Sequence, residues 1–119
     1  MSVPVDLTAL EATVRDLGRE ALLATVTPES TPHLVSVVVT WSDGRLTIGG
    51  GRRTRENIAV HPRVTLIWPQ LHDGYYRLIV DGDAVIGDGD AVVIAPTFAV
   101  LHRSAGADGD GPNCLPLTT

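Results

Sequence analysis

The chain has 119 residues, 44% apolar and 19% charged, which leaves room for one compact domain with a short tail and excludes a second domain. Nine basic against fourteen acidic side chains give a net charge of −5, and every basic one is an arginine. An acidic chain with so few aromatics lacks the basic, stacking-rich face of a nucleic-acid binder.

Leu7, Leu10, Val14 and Leu17 recur at spacings of three and four, which predicts a helix with one apolar stripe, opened by a Thr8–Glu11 capping box and ended by Gly18. From residue 21 the period changes. The β-branched run 21–27 predicts a strand, closed by the turn Pro28-Glu29-Ser30-Thr31-Pro32. The next run, 33–41, places Val35, Val37, Val39 and Trp41 on one face and Leu34, Ser36, Val38 and Thr40 on the other. The first face is core. The second mixes apolar and hydroxyl groups, as a surface does that a partner covers or that a planar ligand both packs on and hydrogen-bonds to.

Ser42-Asp43-Gly44 turns the chain into a strand over 45–49. Gly49-Gly50-Gly51 then leads through Arg52-Arg53-Thr54-Arg55 into a short helix that must stop before Pro62. A strand over 63–68 follows. A long hairpin over 75–86 and 91–103 turns across Gly87-Asp88-Gly89-Asp90. Six strands and two short helices, joined by short turns without crossover helices, predict a mainly β fold, a small antiparallel barrel, closed or half open, over 1–103. Residues 104–119, rich in Gly, Asp and Pro, form the tail.

Three of the nine positive charges fall within 52–55, beside glycines and a helix N-terminus. That is an anion site in outline: the backbone can approach a ligand closely, the first amides point outward, and Thr54 adds a hydroxyl next to Arg52 and Arg53. The alternative is a solvated basic turn neutralised by Glu56 and nearby acids. No lysine follows the glycines, so this is not a nucleoside triphosphate loop. Elsewhere the chemistry is sparse. The Asp-Gly-Asp triplets at 81–83, 88–90 and 108–110 lack the spacing of a calcium loop and are read as hairpin-turn or tail residues. The four histidines are scattered, so no metal site is expected. Cys114 is the one cysteine; it excludes an intramolecular disulfide and is read as an inert tail thiol. No apolar run approaches the roughly 18 residues of a membrane span, and no signal-peptide pattern opens the chain. The expectation is a cytoplasmic domain with neither nucleic acid nor membrane as partner.

Taken in order, Leu22-Leu23-Ala24-Thr25-Val26, Pro32-His33-Leu34-Val35-Ser36-Val37, Arg53-Thr54-Arg55-Glu56-Asn57-Ile58 and His61-Pro62-Arg63-Val64-Thr65-Leu66 resemble the pyridoxamine 5′-phosphate oxidase-like split barrels. The likeness covers residues 8–103. It implies a six-stranded split β-barrel with FMN, or alternatively the deazaflavin coenzyme F420, at a homodimer interface. It matches Arg53 and Thr54 to the phosphate-binding pair, with Arg52 in support where the family often has a lysine at the position of Thr54. The strand carrying Ser36, Val37, Val38 and Thr40 matches the one beside the flavin ring. Gly49 and Gly50 match the neighbouring strand end, and Trp68 a position near the ring edge. The implied activity is hydride or electron transfer on a small substrate, with no residue marked as acid or base. The chain lacks the C-terminal extension of the true oxidases, so vitamin B6 oxidation is not expected. The alternatives are a flavin or haem carrier without turnover, and a cofactor-free interaction barrel.

Overall fold

Burial alternates with period two along most of the chain, and the strands follow it. A computed structural model describes residues 2–104; the tail from 105 onward, with Cys114 and the third Asp-Gly-Asp triplet, lies outside the described residues. The elements are β1 (Ser2–Pro4), a 3-10 turn (Leu7–Ala9), α1 (Leu10–Leu17), β2 (Glu20–Val26), β3 (Pro32–Val38), β4 (Thr40–Ser42), β5 (Arg45–Gly49), α2 (Arg52–Val60), β6 (Arg63–Ile67), β7 (Arg77–Ile86) and β8 (Ala91–His102). One antiparallel sheet runs in the order β3-β2-β6-β7-β8-β5-β4, with β1 added to β8. It curls into a half-barrel.

The concave side holds the core. Leu23, Leu46, Leu66, Leu78, Val92, Ile94 and Leu101 are among its fully or almost fully buried members. Helix α1 contributes Leu10, Thr13, Val14 and Leu17, the stripe its spacing predicts, whereas Leu7 stays 38% exposed. Gly18 closes the helix with φ +90°, a conformation that favours glycine. The capping differs from the sequence expectation. Asp6, not Thr8, accepts from the Thr8 amide at 2.9 Å and the Thr8 hydroxyl at 2.8 Å, and these bonds hold its carboxyl below the usual carboxylate range. The 3-10 turn inserted before α1 moves Thr8 out of the cap position.

Two strands differ from the expected six. The run over 33–41 is broken at Val39, whose amide bonds the Arg19 carbonyl at 2.6 Å. Before it β3 pairs with β2, and after it β4 pairs with β5. Side-chain alternation continues through the break, because the chain changes partner without changing phase. Strand β1 is short and pairs across nearly the whole sequence, Ser2 opposite His102. The first Asp-Gly-Asp triplet lies within β7, at a register shift between Asp81 and Gly82, not in a turn. A Cβ on Gly82 would stand 2.6 Å from Ile94 Cγ2 and 2.7 Å from the Ala95 carbonyl oxygen. The backbone oxygen is the harder of the two to move. Gly82→Ala is therefore expected to destabilise the fold by about 1–3 kcal/mol, read from a lowered urea midpoint.

Candidate functional site

Helix α2 sits over the far end of β2 on a polar seat. Thr54, Asn57 and Ile58 are its buried residues, and the Asn57 side-chain amide donates to Thr25 Oγ1 at 3.0 Å. Among the described residues, Thr25, Thr27, Thr54 and Asn57 make up most of the buried polar side chains. Thr27 Oγ1 accepts from the Thr31 amide at 3.0 Å and fixes the β2–β3 turn. A buried amide bonded in this way orients the helix start, since leaving its partner unmatched costs about 1–3 kcal/mol.

The three arginines that open α2 have three different roles. Arg52 pairs with Glu56 at 3.2 Å, both side chains largely exposed. Arg55 turns away and donates to the Gly89 carbonyl at 3.1 Å, tying the helix to the β7–β8 turn. Arg53 is exposed and makes no ion pair or hydrogen bond among the described residues. A hollow of about 320 Å³ lies between the helix and the β2–β3 turn, with Arg52, Arg53, Glu29, Glu56, Thr27 and Asn57 on its walls. Its two arginines face two glutamates, so the cluster is far less positive than its sequence suggests. Thr54 is turned into the protein with Asn57, so its hydroxyl is not displayed beside Arg53 as the sequence implies.

A second hollow, about 230 Å³, lies at the other end of β2 and is lined by Glu20, Ala21, Leu22, Ser36, Val37, Val38 and Pro69. Val37 is buried, whereas Ser36 and Val38 are exposed. Among the described residues β3 lies at the end of the sheet order and pairs with β2 alone, and Leu34 and Val38 are 60% and 54% exposed along it. Ser36 lies opposite Leu22. Five residue steps lead from Leu22 to Thr27, just past the end of β2, so the hollows are about 16 Å apart along the strand direction.

The remaining expected residues are dispersed. Thr40 borders a separate hollow of about 250 Å³ with Arg19, Val39 and Trp41. Gly49 is exposed, but Gly50 is packed inward: a Cβ there would lie 2.7 Å from Val92 Cγ2, and its amide bonds the Asp90 carbonyl at 2.7 Å. Gly50 is thus a close-approach residue for strand β8. Trp68 is fully buried, and its indole N–H donates to the Gly18 carbonyl at 3.0 Å. Its side chain offers no surface to a ligand and instead locks the end of α1 to the end of β6. Period-two alternation from Arg63 puts Trp68 on the same face as Val64 and Leu66, and all three are buried; the placement near a ring edge rests on the resemblance alone.

The half-barrel with two helices is a split β-barrel, and solved structures share it. HupZ of Group A Streptococcus superposes with a TM-score of 0.63, at 15% identity over 82% of this chain and 98% of that one. An FAD-binding protein of Mesorhizobium loti gives 0.62, at 18% identity over 87% and 99%. HutZ, the heme storage protein of Vibrio cholerae, gives 0.55, at 15% identity over 83% and 97%. No family model matches the chain. An uncharacterized protein of Mycobacterium bovis, Mb0449c, is 41% identical over 64 residues, which are 49% of this chain and 45% of that protein. The chain thus spans about half the length of the curated relative it matches.

Proposed function

We propose that this split barrel binds a flavin-type cofactor, FMN in the first place and the deazaflavin coenzyme as the alternative, and transfers hydride or electrons to a small substrate. The observation that carries the reading is the outer face of β3. It alternates apolar and hydroxyl groups, Leu34, Ser36, Val38, and opens on the hollow beside Pro69. A planar ring needs such a surface, packing from the aliphatic groups and hydrogen bonds from the hydroxyl and the free backbone edge of β3. The FAD-binding protein of the same fold adds support.

The residues fit the cofactor in parts. Arg53 is free to form a charge-assisted, bidentate bond to a phosphate, and nothing lies within 4 Å of where a Cβ on Gly51 would be, which leaves room before the first amides of α2. Arg52, matched to Glu56, and the inward Thr54 add little. The bound ring supplies the redox chemistry, and the protein holds it, orients it and keeps water from one of its faces. A hollow of about 230 Å³ is smaller than the roughly 300 Å³ at which ligand pockets begin. A second copy over Leu34 and Val38 would complete it, in keeping with a homodimer. If so, Val38→Asp should yield single chains in sedimentation equilibrium and lose FMN binding together. Undiminished FMN binding by single chains would remove the interface from the account.

A haem-binding module without turnover is the second reading. Two atoms favour it: His33 Nδ1 and His61 Nε2 are buried with no hydrogen-bond partner, and imidazole nitrogens of that kind suit an axial bond to iron. A haem Soret band that His33→Ala or His61→Ala abolishes would select it over the flavin.

A further inference from the structure

The last turn of α1 and the break at Val39 border a hollow of about 250 Å³. It shares no lining residue with the hollow on the outer face of β3. Its floor is apolar: Val14 and Val39 are buried, and the half-buried Trp41, which packs against the core, forms one wall. An apolar cavity of about 150 Å³ is enough to take benzene, whereas pockets for drug-sized ligands begin at roughly 300 Å³. The space therefore fits a ligand of one ring.

The polar side chains around this floor can all donate. Arg19 is exposed, and its guanidinium makes no ion pair or hydrogen bond among the described residues. The Trp41 indole N–H and the Thr40 hydroxyl are likewise without a partner among them. Backbone carbonyls at a helix C-terminus oppose an anion, but here three are already engaged. The Val14 carbonyl accepts from the Gly18 amide, that of Arg19 from the Val39 amide, and that of Gly18 from the Trp68 indole. Among the described residues no carboxylate lines the hollow. Glu11 is paired with Arg15, and Asp16 and Glu20 border other hollows. Donors set on an apolar floor suit an anion with an apolar body. One uncommitted guanidinium balances a single negative charge, which selects a carboxylate over a phosphate dianion. The indole wall adds a surface on which an aromatic ring packs.

We infer that Arg19, Trp41 and Thr40 form a binding site for a small aromatic carboxylate, its charge on the guanidinium and its ring against the indole. The site goes beyond the proposed flavin surface and stands whether or not a flavin binds. Benzoate is the probe, titrated into the full chain while the indole N–H resonances of the two tryptophans are followed, with benzamide as the uncharged control and acetate as the ringless one. The Trp41 resonance should shift saturably with benzoate. That of Trp68, buried and bonded to the Gly18 carbonyl, should stay in place. Benzamide and acetate should each bind about tenfold more weakly or worse. Arg19 is exposed, so Arg19→Gln should leave the fold intact and lower benzoate affinity about tenfold or more. Arg63→Gln, which removes an equal charge at the start of β6, should leave it unchanged. No saturable shift at Trp41, benzamide or acetate binding as tightly as benzoate, undiminished affinity in Arg19→Gln, or an equal loss in Arg63→Gln would each overturn the assignment.

Discussion

Trp68→Ala is expected to remove about 3–5 kcal/mol of folding stability, a large share of the roughly 5–15 kcal/mol a domain of this kind has. Two separate terms combine. The indole is fully buried, so its loss leaves a cavity that surrounding side chains such as Leu66 and Leu78 cannot fill without moving. Its N–H bonds the Gly18 carbonyl, the joint between α1 and the sheet. Trp68→Phe separates the two. It keeps most of the volume and loses only the donor, so a smaller loss of about 1–3 kcal/mol is expected. Urea unfolding of both variants measures the split. A cost near zero for Trp68→Ala would mean that the side chain is not a core element and would return it to the ligand surface that sequence resemblance implies.

Arg53→Ala is expected to weaken FMN binding by about ten- to a hundredfold, the loss of one charge-assisted bond worth about 1.5–3 kcal/mol. The neighbouring arginines provide the controls. Arg52 already spends its guanidinium on Glu56, so Arg52→Ala should change affinity much less. Arg55 binds the Gly89 carbonyl, so Arg55→Ala should loosen the β7–β8 turn and leave FMN affinity nearly intact. Calorimetric titration of the three variants ranks them. Equal losses at all three positions would point to a general electrostatic attraction with no single anchor.

Period-two alternation makes the strands legible because one face of each is core, and the turns are marked by Pro, Gly and Asp. Helix α1 is legible for the same reason at a period of 3.6. The break at Val39 is not, since alternation survives a change of partner. Nor is β1, whose three residues pair with a strand almost a hundred positions away. In the candidate site, the Ser36 and Val38 face is visible as a mixed face in the sequence. The neutralised character of the arginine cluster is partly visible too, because Arg52 and Glu56 stand four apart on a helix, where opposite charges meet. The inward turn of Thr54 follows from its place three residues before Asn57, which anchors the helix.

The central claim is that the split barrel holds a flavin-type cofactor along β3 with Arg53 on its phosphate. The most direct test is a fluorescence titration of the purified chain with FMN and, in parallel, with the deazaflavin coenzyme. The account predicts saturable binding of one of them, weakened in Arg53→Ala. Failure of both to bind would contradict it, and the arginines of α2 would then be a solvated surface or a contact for another protein.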